Sequence, residues 1–302
     1  MGTPEFAVGS LAALVNAGFN VVAVVTMPDK PAGRGLNLQQ SAVKQYALQH
    51  NIPVLQPEKL KNPEFIEELR SYKADLQVVV AFRMLPVIVW DMPPMGTINV
   101  HASLLPHYRG SAPINWAIIN GEKETGITTF KLQHEIDTGD ILLQEKVAIA
   151  ATETIGTLHD KLKYVGANLL VETVKRLANN SIKEQPQASF DHSSLKHAPK
   201  IFTETCKIDW NAGVNDIYNL IRGLNPYPAA FTSLHDKKVK LFDCSIDQND
   251  SVKQVFGEAI TDGKSILKFA AKDGYIVVKE LQMEGKKRMK TEDFLRGYRW
   301  GS

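Results

Sequence analysis

The chain's 302 residues, 44% hydrophobic and 23% charged, exceed one ordinary small domain and predict two, each able to bury a core. No apolar run nears the roughly 20 residues that cross a bilayer. Residues 1–10 lack the basic-then-apolar pattern of a secretion signal, so a cytoplasmic protein is expected. The net charge of +2 is nearly neutral, and two distant cysteines, Cys206 and Cys244, exclude a disulfide framework and read as reduced thiols.

Residues 7–17 carry a helical pattern, and Val-Val-Ala-Val-Val-Thr follows at 21–26, a β-branched run typical of buried parallel strands. Residues 76–82 and 96–100 are further such runs, with helical patterns at 41–50 and 62–71. Strands alternating with helices predict βαβ units and a parallel sheet covered on both faces. Such a sheet opens with a buried strand before the Gly2-Thr3-Pro4 turn, yet nothing precedes Met1 here: either the inner strand is lacking or the chain begins late. Gly2-Thr3-Pro4-Glu5-Phe6 does not fit G-x-G-x-x-G, because Pro4 and Ala7 stand at the later glycine positions. A tight strand-to-helix turn is favoured there over a dinucleotide site. Residues 125–132 and 141–149 predict two strands joined by a loop bearing Asp137. Residues 154–179 predict a long helix, its apolar stripe running through Ile155, Leu158, Leu162, Val165, Leu169, Leu170, Val174 and Leu177.

The organisation read from these patterns is a first domain at 1–182, a linker at 183–200, which is polar and aperiodic, and a second domain at 201–302. In the second domain, 215–224 predicts a short helix. Residues 231–234, 239–245, 255–259, 265–270 and 275–281 predict five short strands, with turns at Asp262-Gly263 and Asp273-Gly274, the spacing of a small antiparallel barrel. Residues 1–182 carry 16 basic and 17 acidic side chains, and residues 183–302 carry 19 and 16. The excess gathers at Lys286, Lys287, Arg288, Lys290, Arg296 and Arg299, which suits either a polyanion such as RNA or a solvated face.

Chemistry concentrates in Asn99-Val100-His101 and in Ile136-Asp137-Thr138-Gly139-Asp140. Asn99 and His101 are two residues apart, hence on one face of a strand. At the mouth of a parallel sheet both would point into its ligand crevice. Asn99 can donate to an oxyanion, His101 can move a proton, and Asp137 can hold the imidazole, a set suited to acyl transfer. Spacing alone does not pair Asp137 with His101. The loop 31–35, with Lys30 and Arg34, suits phosphate handling and plain connection equally. The histidines show no H-x-x-x-H or H-E-x-x-H pattern, so no metal site is expected.

These residues resemble the methionyl-tRNA formyltransferases, members of the folate-dependent formyltransferase family, over nearly the whole chain. The likeness rests on Gly2-Thr3-Pro4-Glu5-Phe6-Ala7 and Asp29-Lys30-Pro31-Ala32-Gly33-Arg34-Gly35. It rests further on Asn99-Val100-His101-Ala102-Ser103-Leu104-Leu105-Pro106, Ile136-Asp137-Thr138-Gly139-Asp140 and Arg222-Gly223-Leu224-Asn225-Pro226-Tyr227-Pro228. It implies a Rossmann-like α/β catalytic domain followed by an OB-like β-barrel, in a protein expected as a monomer. The implied reaction is formyl transfer from 10-formyltetrahydrofolate to the α-amino group of methionyl initiator tRNA. By the same resemblance, Asn99, His101 and Asp137 are catalytic, and the folate lies against Phe82, Leu85, Ser103, Leu104, Leu105, Pro106 and Asp140. Lys30, Arg34, Lys287 and Arg288 contact tRNA. Rival readings are formylation of an amino-sugar nucleotide or purine precursor, an RNA-binding protein on a catalytically dead scaffold, and a nicotinamide dehydrogenase without its glycine fingerprint.

Overall fold

Short-range signals set the helix boundaries of the first half. α1 (Glu5–Asn16) follows the Gly2-Thr3-Pro4 turn, and β1 (Val24–Val25) is the laddered part of the β-branched run. β2 (Lys30–Ala32) and β3 (Asn37–Gln39) pair antiparallel. α2 (Ala42–Gln49) is capped by Ser41, whose Oγ accepts the Lys44 N–H at 3.1 Å. β4 (Val54–Leu55) pairs in parallel with β1. α3 (Pro63–Ser71), capped by Asn62, buries Phe65, Ile66 and Leu69. β5 (Gln77–Val79), α4 (Val87–Trp90) and β6 (Thr97–His101) follow, with β5 and β6 parallel. Next come β7 (Arg109–Gly110), α5 (Pro113–Ile119), β8 (Glu124–Lys131), β9 (Ile141–Ala148), α6 (Ile155–Ala178) and β10 (His197–Ala198).

This computed structural model describes residues 1–32, 37–190, 194–249 and 251–298. Two compact units emerge: Met1–Gly110 with Thr125–Ala148 and His159–His197, and Ser111–Glu124 with Ile149–Leu158 and Ala198–Ser302. In the first, the sheet order is β5-β6-β8-β9, and β8 runs antiparallel to β6. The expected parallel pairing is present in β5 with β6 and in the separate β1–β4 pair, while β8 adds an antiparallel neighbour to β6. Met1 and Gly2 lie where an inner strand belongs. The Met1 carbonyl accepts the Val80 N–H at 2.9 Å, and the Gly2 N–H donates to the Val25 carbonyl at 3.0 Å. That N–H is thus committed to backbone, and Glu5 places a carboxylate in the first turn of α1, where a phosphate would need positive potential.

α6 buries Leu158, Leu162, Leu169, Leu170 and Leu177 of its predicted stripe. It docks on β8 through Thr173, whose Oγ1 is 2.8 Å from that of Thr129. The expected linker is in part a piece of the first unit. Gln185 exchanges both backbone hydrogen bonds with Ile141 at 2.9 Å, and Gln187–Ser189 form a short 3-10 turn.

In the second unit, α7 (Val214–Gly223) packs with α5, Asn115 Nδ2 donating to the Gly223 carbonyl at 2.8 Å. Eight strands follow among the described residues: β11 (Ala230–Leu234), β12 (Lys237–Leu241), β13 (Cys244–Gln248), β14 (Ala259–Thr261), β15 (Leu267–Ala271), β16 (Gly274–Val278), β17 (Glu280–Met283) and β18 (Met289–Lys290). α8 (Thr291–Gly297) ends the series. They form two sheets, β11-β12-β17-β18 and β13-β16-β15-β14, rather than one run of five strands. The run 239–245 breaks at 242–243 and the run 275–281 breaks at Lys279, so each half joins a different sheet. The Asp243 carbonyl accepts the N–H groups of Lys279 and Glu280 at 2.8 and 3.1 Å, which ties the two breaks together. Phe269, stacked on Trp210 at 5.0 Å, centres a core with Ile217, Ile221, Val239, Leu241 and Ile276. Cys206 and Cys244 are buried and free, and burial pushes both thiols up, favouring the neutral form. No helix among the described residues is long and apolar enough to cross a membrane.

Candidate active site

β6 presents Asn99 and His101 on one face, as the strand period requires. Asn99 stands in register with Val79 on β5 and Phe130 on β8, and His101 with Thr128. The Asn99 side chain is half-buried and has no hydrogen-bond partner among the described residues. His101 is 7% exposed, with its Nε2 2.9 Å from the Tyr108 carbonyl. A carbonyl only accepts, so Nε2 carries the proton of that bond. Nδ1 then faces Asp137 Oδ2 at 3.8 Å, a gap beyond direct hydrogen bonding but short enough for one donor to bridge both atoms. Asp137 is held by the Gly110 N–H, 2.9 Å from the same Oδ2. Residues 36 apart in sequence thereby form one acceptor pair.

The Ser103–Pro106 turn is pinned from below. Ser103 is fully buried and its Oγ donates to the His107 carbonyl at 2.7 Å. Thr128 Oγ1 donates to the Ser103 carbonyl at 2.7 Å and accepts the Leu105 N–H at 3.1 Å. Gln144 Nε2 lies 2.9 Å from both Thr128 Oγ1 and the Leu105 carbonyl. Leu105 is 2% exposed and packs with Phe130 and Ile141, while Leu85 packs with Val79 and Val89. The Ser103 hydroxyl and the Leu85, Leu105 and Pro106 side chains therefore face the protein's own interior, whereas Phe82, Leu104 and Asp140 are half-buried. Thr128 and Gln144 carry no motif, and nothing in the run Thr125-Gly126-Ile127-Thr128-Thr129-Phe130 singles out Thr128 from the other two threonines. Thr128→Val is expected to destabilise the fold by about 1–3 kcal/mol, because the Leu105 N–H and Ser103 carbonyl lose their buried partner, and urea unfolding measures it.

A cavity of about 480 Å³ adjoins the Asp137 loop, lined by Trp90, Arg109, Leu132, His134, Thr138 and Gln187 among others. The His134 ring meets Trp90 edge-on at 5.5 Å. Burial lowers the Arg109 pKa from its ordinary value, opposed by the nearby carboxylates of Asp137 and Glu135.

Two family profiles match this chain: formyl transferase over residues 1–174, and formyl transferase, C-terminal domain, over residues 200–299. The chain belongs to the formyl transferase family. This formyl transferase is 54% identical, over 99% of its length and 94% of the relative's, to the methionyl-tRNA formyltransferase of Bacteroides fragilis. It is 55% identical over the same shares to that of Parabacteroides distasonis, and 47% identical to that of Ruminiclostridium cellulolyticum over 98% and 95%. Its fold is similar to that of WlaRD, a sugar 3N-formyl transferase, with a TM-score of 0.66, 20% identity, and 95% and 97% of the two chains covered. HypX from Aquifex aeolicus, solved with tetrahydrofolic acid, gives a TM-score of 0.60 and 19% identity, over 82% of this chain and 43% of that one.

The basic residues of this formyl transferase fare differently. Lys30 and Lys287 are exposed, and Arg34 and Arg299 lie outside the described residues. Arg288 is not a free cation: it pairs with Glu280 and lies 4.1 Å over the Phe242 ring. Arg296 pairs with Asp293. Glu5, His159 and Asp160 bring possible metal-ligand atoms within 4.8 Å of one another, but the Lys163 ammonium, 2.6 Å from Glu5 and 3.5 Å from Asp160, already supplies their counter-charge.

Proposed function

We infer that Asn99, His101 and Asp137 are the groups with which this enzyme moves a formyl group from 10-formyltetrahydrofolate to the α-amino group of methionyl initiator tRNA, in translation initiation. The observation that carries this reading is the His101 Nδ1–Asp137 Oδ2 pair at 3.8 Å, with an Asn99 amide that has no partner among the described residues on the same strand face as His101. The tRNA acceptor is supported by identities of 47–55% to methionyl-tRNA formyltransferases along nearly the full chain. The folate supplies a formyl carbon activated on nitrogen. Asn99 Nδ2 donates to the oxyanion that develops there, in a geometry set by β6 before charge appears. The tautomer held by the Tyr108 carbonyl leaves Nδ1 open to take a proton from the attacking amine, directly or through water. Asp137 stabilises the imidazolium that results, and that proton passes to the folate nitrogen as its bond to the formyl carbon breaks and tetrahydrofolate leaves. No group of the enzyme needs to form a covalent bond to the formyl carbon.

In this reading Phe82, Leu104 and Asp140 touch the folate, while Ser103, Leu85, Leu105 and Pro106 frame its site. Residues 1–182 form the catalytic domain, 183–200 a connection whose first part packs into the first unit, and 201–302 an OB-like domain that binds tRNA, a reading supported by its two antiparallel sheets. Lys30, Arg34 and Lys287 contact tRNA phosphates, and the protein acts as a monomer in the cytoplasm. Formylation of methionyl initiator tRNA, measured beside a nucleotide-linked amino sugar, tests the acceptor: turnover of the sugar alone would overturn it. Lys287→Ala is expected to weaken tRNA binding and to reduce the slope of log K against log salt by about 1. An unchanged slope would return Lys287 to the solvent.

A further inference from the structure

Asp137 holds φ at +56°, a left-handed backbone that a non-glycine residue keeps where its surroundings over-determine it. A side chain fifty residues away does so. Gln187 is 2% exposed, and its Nε2 donates to the Asp137 carbonyl at 2.9 Å and the Gly139 carbonyl at 2.8 Å. Its Oε1 accepts from Arg109 Nε at 3.0 Å and Nη2 at 2.5 Å. Arg109 precedes Gly110, whose N–H holds the Asp137 carboxylate. One carboxamide thus joins the loop that carries the Asp137 backbone to the strand that receives its side chain, with both its N–H groups and both its lone pairs in use. The loop has little room to give. A Cβ on Gly139 would lie 1.7 Å from the Lys131 carbonyl oxygen, and Gln185 fixes the register of the Gln187 segment against Ile141.

We propose that Gln187 is a positioning residue for formyl transfer, clamping Arg109 to the Asp137 loop and so setting the Asp137 carboxylate against His101 Nδ1. It lies in the stretch 175–199 that neither family profile covers. The proposal rests on the catalytic reading of Asp137. Displacements near 1 Å at a catalytic group cost about 10²-fold in rate, and the clamp governs a separation of that sensitivity.

The test is steady-state formylation of methionyl initiator tRNA by Gln187→Leu and Gln187→Glu, each alone and combined with Asp137→Asn, with thermal melting of every variant. Gln187→Leu is expected to lower kcat by about 10- to 10²-fold, with both KM values held within about 3-fold. Gln187→Glu keeps the acceptor for Arg109 but cannot donate to the two carbonyls, and should lose kcat similarly. Because Gln187 acts through Asp137, adding Gln187→Leu to Asp137→Asn should cost less than about 3-fold more. An unchanged kcat, a loss confined to KM, or the same loss in both backgrounds would overturn the proposal. If Gln187→Leu does not fold, the Gln187→Glu series is read by the same criteria. Full activity of Asp137→Asn would overturn the catalytic reading and this proposal together. A disabled Asp137→Asn beside an active Gln187→Leu would overturn this proposal alone.

Discussion

Asn99→Ala is expected to lower kcat for formylation of methionyl initiator tRNA by about 10²–10³-fold while leaving the melting temperature nearly unchanged. Both halves of that expectation follow from where the amide sits. Its backbone is locked in β6 between Val79 and Phe130, so the donor is held by a sheet and not by a loop. Its side chain has no partner among the described residues, so truncation strands no buried group and costs the fold little. A polar group that takes no hydrogen bond among the described residues, fixed on the face it shares with His101, is available to a charge that appears only during reaction. Such a donor stabilises the transition state more than the bound substrate, and its loss should therefore appear in kcat. Steady-state kinetics beside thermal melts separate the cases: a rise in KM at constant kcat would make Asn99 a substrate contact instead.

Asp137→Asn should cost about 10²–10⁴-fold in kcat, the range of positioned acid–base catalysis. The substitution is close to a pure removal of charge. Asparagine tolerates positive φ as aspartate does, so the +56° backbone survives, and its amide oxygen can still accept the Gly110 N–H. What disappears is the negative charge facing His101 Nδ1, and with it the stabilisation that the proposed mechanism gives the imidazolium formed when the amine gives up its proton. Circular dichroism and melting should match the parent, with the deficit confined to turnover. Full activity would remove the carboxylate from the scheme and leave His101 and Asn99 to carry the chemistry.

How far the chain could be read in advance depended on the range of each interaction. The five predicted helices were legible to within a residue or two because their signals are local: Ser41 and Asn62 cap α2 and α3, and the apolar stripe of α6 repeats every three or four residues, whereas the short α4, α5 and α8 carry no such signal and were missed. The relation of Asn99 to His101 was legible because a strand has a period of two. The strands of the second unit were legible as β-rich but not as separate strands. The breaks at 242–243 and at Lys279 are decided by the Asp243 carbonyl, which accepts two N–H groups from more than 30 residues away. The character of Arg288 was likewise hidden, since its charge is met by Glu280 and its plane by Phe242.

The sequence by itself determined the class of fold, the strand that bears Asn99 and His101, and a family likeness strong enough to name a reaction. All of these are carried by short periodicities and contiguous motifs. Only the tertiary structure decided which groups meet: Asp137 with His101, Thr128 and Gln144 beneath the Ser103–Pro106 turn, and Gln187 across to Arg109 and the Asp137 loop. Spacing along the chain says nothing about such pairs. A lone polar residue reads as solvated until folding removes it from water, and burial then obliges it to find the partner that gives it a role.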